Sequence, residues 1–175
     1  MSNGNIIIVG FMGSGKGAAA KATARKLQFA SADLDKMVSE RMKMTSAEIY
    51  ERFGEAYYRA METNLLDEMA GAQISRTVLV LGSGAVLMPQ NLDYLKQLGN
   101  VYYICMKPTA LLEKMKEKDS RHAWIRSDAW DEQVMKIYRE REPSYKKAAD
   151  TIIEADGLTT EEIADRIISV EAAKE

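Results

Sequence analysis

Short apolar runs alternate with longer segments of mixed polarity along this chain. Five runs predict strands, at residues 6–9, 29–33, 77–81, 101–105 and 151–153. Most of these runs are apolar at consecutive positions, which is typical of strands covered on both faces of a sheet. Because segments with helical signals separate them, we expect a parallel sheet with helices on both sides.

Sequence signals mark where the intervening helices begin and end. Thr45 and Glu48 have the spacing of a capping box, and Gly54 is a stop signal for the short helix that follows. Pro89 and Pro108 each mark the start of a helix after a strand. The other predicted helices cover residues 16–27, 55–70, 127–149, with a kink or break at Pro143, and 159–173.

A glycine-rich turn follows the first predicted strand. Residues 10–16 read Gly-Phe-Met-Gly-Ser-Gly-Lys, which fits the G-x-x-x-x-G-K pattern of a phosphate-binding loop. Its backbone N–H groups and the first turn of the next helix attract phosphate oxygens, and Lys16 adds a compact cation. A glycine turn without a ligand is the alternative. The predicted nucleotide-binding residues are Gly13, Ser14, Gly15, Lys16, Gly17 and Ala18.

Gly17 departs from the phosphate-loop pattern. The residue after the lysine is ordinarily Ser or Thr, whose hydroxyl binds Mg²⁺. The backbone cradle does not depend on this side chain, but a direct metal ligand is lost. Because Mg²⁺ commonly keeps several water ligands, a water can replace the hydroxyl.

Two acidic residues end the predicted second strand. Asp33 and Asp35 therefore lie at the carboxyl edge of the sheet, where ligands bind in open α/β folds. Alternate strand residues share a face, so both carboxylates are able to point towards the loop. A solvated turn with an N-cap aspartate is the alternative interpretation.

Five segments of the chain together resemble the shikimate kinase family. The loop at residues 10–16 is similar to the family's Gly-Phe-Met-Gly-Ala/Ser-Gly-Lys, and Asp33-x-Asp35 lies at the distance the family shows. The other three segments are Gly54-Glu55-x-x-Tyr58-Arg59-x-x-Glu62, Gly82-Ser83-Gly84 and Arg141-x-Pro143-x-Tyr145. The family has Phe at the position of Tyr58 and glycine at that of Ser83. The matches run in order from about residue 6 to residue 168.

The resemblance implies a fold and an activity. The fold is a three-layer P-loop kinase fold, α/β, with a five-stranded parallel sheet flanked by helices, in a single domain of residues 1–175. The activity is transfer of the γ-phosphate of ATP to the 3-hydroxyl of shikimate, on the pathway to chorismate and aromatic amino acids. ATP and Mg²⁺ are the implied cofactors.

The resemblance also implies roles for acceptor-side residues. Asp33 would hold the metal through water, and Asp35 would bind the acceptor hydroxyl and take its proton, with Lys16 as the catalytic cation. Arg59 and Arg141 would bind the substrate carboxylate, since guanidinium groups make charge-assisted bonds with such an anion. Two further predicted substrate contacts are Ser83 and Gly84.

Two movable segments are implied as well. A substrate flap covers about residues 36–60, and a lid covers about residues 112–126. Arg121 in the lid would bind ATP and reach the transferred phosphoryl group on closure. A basic, solvated helix is the alternative for the lid segment.

Departures from the family occur at Gly17, Ser83, Ser46 and Tyr58, and the lid lacks the family's proline and both leucines. They leave three hypotheses open. The chain is an active shikimate kinase, a kinase of another small hydroxy acid on the same scaffold, or a nucleotide-binding homologue with reduced or lost catalysis. The retained acidic residues and arginines favour the first hypothesis, whereas Gly17 favours the third.

Composition limits the remaining classes. The formal net charge of −2 carries no general attraction for nucleic acid or an anionic membrane. One cysteine, Cys105, and one histidine, His122, exclude a disulfide framework and a zinc site of the usual kind. No secretion signal or membrane-spanning run is seen. We expect a cytoplasmic monomer that binds a small-molecule substrate.

Overall fold

The computed structural model describes residues 4–117 and 129–174. Its centre is a sheet of five parallel strands in the order β2-β3-β1-β4-β5. The strands are β1 Asn5–Gly10, β2 Ala30–Asp33, β3 Thr77–Val80, β4 Gly99–Cys105 and β5 Thr151–Glu154. The predicted parallel sheet is confirmed, with each strand within about two residues of its predicted bounds.

Helices connect the strands and flank the sheet. They are α1 Lys16–Leu27, α2 Leu34–Met42, α3 Ser46–Phe53, α4 Glu55–Gly71, α5 Pro89–Leu98, α6 Pro108–Glu117, α7 Trp130–Ala148 and α8 Thr160–Ala172, with a short 3₁₀ turn at Ala85–Leu87. Helix α1 packs against α8, and α4 packs against α5. No helix in the described ranges has the length and apolar character needed to cross a membrane.

The core lies on the central strands. Ile7 of β1 lies opposite Leu79 of β3 and Val101 of β4, and all three side chains are at most 1% exposed. Since these strands are buried on both faces, their consecutive apolar residues are explained by the helices above and below. The edge strand β5 differs, because Ile152 remains 43% exposed.

Two capping boxes start helices, and the one at Thr45 confirms the prediction. The Thr45 hydroxyl accepts from the Glu48 N–H while Glu48 accepts from the Thr45 N–H, and Thr159 and Glu162 repeat the arrangement at α8. Each box satisfies two N–H groups that a helix start leaves unpaired.

Two local features differ from the predictions. Helix α2 was not predicted; it begins at the N-cap Asp33 and ends at Lys43, whose φ of 53° replaces the usual glycine stop. Helix α7 does not break at Pro143 but continues to Ala148. The buried side chains of Arg141 and Tyr145 hold the helix on both sides of the proline, which offsets the lost backbone hydrogen bond.

Candidate active site

The phosphate loop turns sharply at the end of β1. Gly13 and Gly15 have φ values of 79° and 76°, in the left-handed region that favours glycine. A Cβ at Gly13 would also lie 2.7 Å from Cγ of Met115 on α6. Gly15 is the N-cap residue of α1 and offers no side-chain cap, so within the described residues no cap occupies the first N–H groups of this helix, which suit an anionic ligand.

Ser14 is a second sign of a ligand at this loop. Its side chain is 1% exposed, and its Oγ atom has no hydrogen-bond partner among the described residues. Buried hydroxyl groups nearly always have a partner. A phosphate oxygen held by the loop supplies one, so this chain's residues fit a nucleotide at the predicted place.

Lys16 connects the loop with the two acidic residues. Burial lowers the pKa of Lys16, while the negative charges of Asp35 and Asp33 oppose that shift. Arg141 is also close enough to lower the pKa of this ammonium group. The Lys16 cation is therefore close enough to the acidic pair and to an arginine of α7 for their charges to act on it.

The segment Gly82–Gly84 follows β3, and the acceptor-side residues lie against it. A Cβ at Gly82 would lie 2.6 Å from Oδ1 of Asp35, and one at Gly84 would overlap the Arg59 guanidinium. The Ser83 hydroxyl accepts a hydrogen bond from Nη1 of Arg141 at 2.8 Å. Three residues thus contact Asp35, Arg59 and Arg141, which are far apart in sequence.

Arg59 is held firmly on α4. It is 7% exposed and forms a salt bridge with Glu62, a hydrogen bond of 2.7 Å to the Tyr50 hydroxyl, and an ion pair of 3.5 Å with Glu55. Burial raises the pKa of Glu62 to about 7, although the charge of Arg59 opposes this shift. A guanidinium fixed in this way can bind a carboxylate with little loss of conformational entropy.

Arg141 is positioned from α7. It is 9% exposed, and the Tyr145 hydroxyl one turn further donates to the Ser83 backbone carbonyl at 2.5 Å. Tyr145 is fully buried and its ring stacks on Tyr103 at a centroid distance of 5.2 Å. The loop at Ser83 and the arginine therefore hold each other in place.

Asp35 and Asp33 have different surroundings. Asp35 accepts a hydrogen bond of 2.6 Å from the Tyr58 hydroxyl. Asp33 caps α2, where its carboxylate accepts from the Lys36 N–H at 3.2 Å. Asp33 is therefore the N-cap of α2, as the alternative interpretation had it. Burial lowers the pKa of Lys16, and the charge of the half-buried Asp33 carboxylate opposes that shift.

The remaining predicted residues are placed as follows. Gly17 and Ala18 lie in the first turn of α1. Residues 112–117 of the predicted lid belong to the end of α6, whereas Arg121 and the rest of the lid lie outside the described residues. The described residues contain no group of three or more His, Cys, Asp or Glu side chains able to hold a metal.

Sequence reasoning missed several contacts in the site. The segment Arg141-x-Pro143-x-Tyr145 does not indicate that Tyr145 bonds to Ser83, and nothing in the sequence marks Gly82 as the neighbour of Asp35. Tyr50 was assigned to the flap without its bond to Arg59. The bond from Tyr145 to Ser83 joins segments far apart in the sequence, and the bond from Arg59 to Tyr50 depends on how two consecutive helices pack, so no local pattern indicates either one. The signals in the sequence are Tyr58 and Ser83, which stand where the family has phenylalanine and glycine.

Comparisons with known proteins give the family of this chain. A family model described as shikimate kinase matches residues 12–171. The chain belongs to the shikimate kinase family. Among its relatives, the shikimate kinase of Caldicellulosiruptor bescii is 33% identical over 171 residues, covering 98% of this chain and 97% of the relative. The shikimate kinase of Thermodesulfovibrio yellowstonii is 32% identical over 164 residues, covering 94% and 92%.

Solved structures of shikimate kinases share the fold. A structure described as shikimate kinase from Acinetobacter baumannii in complex with shikimate has a TM-score of 0.89 at 26% identity, covering 98% of this chain and 94% of that one. The enzyme from Bacteroides thetaiotaomicron has a TM-score of 0.86 at 28% identity, covering 97% and 98%. The predicted P-loop kinase fold and the family are therefore confirmed.

Proposed function

We propose that this protein transfers the γ-phosphoryl group of ATP to the 3-hydroxyl of shikimate. One observation carries the proposal: Asp35, Arg59 and Arg141 meet at the segment Gly82–Gly84, beside Lys16. A cation at a phosphate loop and two guanidiniums around a carboxylate suit an acceptor that carries both a hydroxyl and an anionic group.

The proposed reaction uses the chain's own residues in named roles. The backbone of residues 13–18 binds the phosphates, and Lys16 neutralises charge on the transferred group. Asp35 accepts the proton of the acceptor hydroxyl while the hydroxyl oxygen bonds to the γ-phosphorus. The bond between that phosphorus and the bridging oxygen breaks, and ADP leaves. Arg121, outside the described residues, stays a predicted contact of the transferred group.

The acceptor carboxylate is proposed to bind between Arg59 and Arg141. Both guanidiniums are less than a tenth exposed, so their bonds with an anion compete little with water. Ser83 and Gly84 offer backbone contacts to the acceptor ring beside them. This arrangement orients the acceptor hydroxyl in line with the phosphoryl group. Such positioning is a main contribution to catalysis of phosphoryl transfer.

Magnesium is part of the proposal. Asp33 would hold the ion through water, and the bound ion would screen the charge of the phosphates. The donor set fits, since one or two carboxylates plus phosphates and waters suit Mg²⁺ better than an all-protein cage. A single domain, a monomeric state and a cytoplasmic location stay predictions.

The test is an ADP-release assay with shikimate, with its methyl ester, and with a panel of other hydroxy acids, each with and without Mg²⁺. We expect Mg²⁺-dependent release with shikimate and a much higher KM for the ester, which lacks the anionic carboxylate. Faster turnover of another hydroxy acid would assign the substrate differently. No release with any acceptor, while ATP still binds, would leave a nucleotide-binding homologue without catalysis.

A further inference from the structure

Tyr58 places a hydroxyl group against the carboxylate that is proposed to accept the substrate's proton. The tyrosine is 2% exposed, and its hydroxyl donates to Oδ1 of Asp35 at 2.6 Å. Burial and the neighbouring Asp35 raise the pKa of Tyr58 far above its usual range, so the hydroxyl keeps its proton. The shikimate kinase motif quoted above has Phe at this position, and a phenylalanine has no hydroxyl to offer Asp35.

The direction of the next hydrogen bonds follows from counting protons. A phenol has one proton, and a carboxylate can only accept, so the proton of Tyr58 lies towards Asp35. Ser46, whose Oγ is 3.1 Å from the Tyr58 hydroxyl, must then donate to it. Ser39, with its Oγ 3.3 Å from that of Ser46, donates in turn. We call this series, from Ser39 through Ser46 and Tyr58 to Asp35, the hydroxyl relay.

The hydroxyl relay joins three helices at the acceptor side. Asp35 and Ser39 belong to α2, Ser46 is the first residue of α3, and Tyr58 lies on α4. Because every bond points towards the negative charge, each one polarises and strengthens the next. The relay therefore ties the start of α3 to the orientation of the Asp35 carboxylate.

A second tyrosine serves the arginine on the same side. The rings of Tyr50 and Tyr58 stack with centroids 4.6 Å apart, and the Tyr50 hydroxyl accepts from Arg59. One hydroxyl of the pair thus faces the acid and the other faces the guanidinium. The two contacts can be separated by experiment, since each depends on a single oxygen atom.

We infer that Tyr58 is a positioning residue: its hydroxyl holds Oδ1 of Asp35, with Ser46 and Ser39 as supporting donors, and leaves Oδ2 for the acceptor hydroxyl. This inference rests on the proposed function and adds to it a group that orients the acid. A positioning role predicts an effect on kcat, whereas a role in acceptor binding alone predicts an effect on KM.

The main test is Tyr58→Phe, which removes one oxygen and keeps the ring. We expect kcat to fall about tenfold, with the KM for ATP unchanged, because a hydrogen bond to a charged group is lost. Ser46→Ala should have a smaller effect and Ser39→Ala the smallest. The matched control is Tyr57→Phe, in the same helix, because Tyr57 is exposed and its hydroxyl hydrogen-bonds only to the Met42 sulfur among the described residues.

Tyr50→Phe separates the two hydroxyl contacts. It should raise the KM for the acceptor more than it lowers kcat, because it acts through Arg59. Equal kcat values for the Tyr58→Phe and Tyr57→Phe proteins would overturn the inference, provided that their melting temperatures match that of the wild type.

A measurement that needs no catalytic turnover tests the hydroxyl relay separately from the proposed function. Proton NMR of the wild type should show a downfield, slowly exchanging hydroxyl resonance that is absent from Tyr58→Phe, retained in Tyr57→Phe and shifted upfield in Ser46→Ala. Absence of this resonance from the wild type would overturn the relay. A normal resonance in a protein that does not phosphorylate shikimate would refute the proposed function alone.

Discussion

The two sides of this site are built in different ways. In the described residues, the donor side is a loop and a helix start from one stretch of chain. Its groups are mostly backbone N–H donors, with Lys16 as a side-chain cation, and the predicted lid contact Arg121 lies outside the described residues. The acceptor side consists of side chains from α2, α4 and α7 that meet at the segment Gly82–Gly84.

This difference predicts different tolerance to substitution. A backbone cradle survives a change such as the glycine at position 17, because the N–H groups remain whatever the side chain is. Side chains such as Asp35 and Arg59 cannot be replaced without loss of a charge or a hydrogen bond. We therefore expect changes on the acceptor side to affect the acceptor and leave ATP binding nearly intact.

The largest effect is expected for Asp35→Asn. The amide cannot accept the hydroxyl proton, so kcat should fall by about 10³-fold, within the range for loss of a general base. ATP binding, measured by calorimetry, should stay within about twofold of the wild type. A near-normal kcat would remove Asp35 from the chemistry.

A smaller loss is expected for Gly84→Ala. The added Cβ would overlap the Arg59 guanidinium, which cannot swing aside freely because Glu62 and Tyr50 hold it. The KM for the acceptor should rise about tenfold through this misplacement. Gly71→Ala is the control, since its Cβ meets nothing within 4 Å. If both variants behave alike, contact with Arg59 is not the cause.

The contrast in how the two sides are built also explains what could be predicted from the sequence. The phosphate loop is a local pattern, so residues 10–16 indicated its place directly. The parallel sheet followed from buried apolar runs such as residues 6–9. The contact of Tyr145 with Ser83 depends on how α7 packs on the segment after β3, and that of Tyr50 with Arg59 on how α3 packs on α4. No spacing in the sequence indicates either contact.

Helix α2 shows a second limit of sequence reasoning. The sequence allows Asp33 to be either a metal ligand or a helix cap. In the structure Asp33 caps α2, and its charge also opposes the lowering of the Lys16 pKa by burial. The end of α2 at Lys43 uses a left-handed lysine, which carries no sequence signal of the glycine type. At Pro143 the sequence predicts a kink or a break, and the helix does not break there, because tertiary contacts outweigh a local helix-breaking preference.

A few-fold effect of pH is expected on acceptor binding. The pKa of Glu62 is about 7, and a bound carboxylate that shares Arg59 would raise it further. Binding then takes up a proton, so affinity is greatest below pH 7 and falls as pH rises through 7 towards 8.5. Calorimetry from pH 6 to 8.5 measures this trend. In Glu62→Gln the affinity for the acceptor should no longer depend on pH in this range. If the dependence persists, the proton taken up on binding goes to another group.

The smallest effect is expected on the donor side, for Gly17→Ser. A Cβ at this position meets nothing within 4 Å, so a hydroxyl can be added without a clash. The Mg²⁺ concentration for half-maximal rate should fall about threefold, because a direct ligand replaces a water. Gly17→Ala controls for the change in helix propensity. Identical Mg²⁺ dependence of the Ser and Ala variants would show that the hydroxyl is not used.

The role of the two arginines at the acceptor side is tested most directly by measuring how tightly Arg141→Ala binds shikimate and ATP. The charge-matched control is Arg139→Ala, because Arg139 is an exposed arginine of the same helix. The account predicts about a hundredfold weaker shikimate binding in Arg141→Ala, because charge-assisted hydrogen bonds are lost, with ATP binding and the control nearly unchanged. Equal weakening of shikimate and ATP binding, or an equal effect of both substitutions, would contradict it.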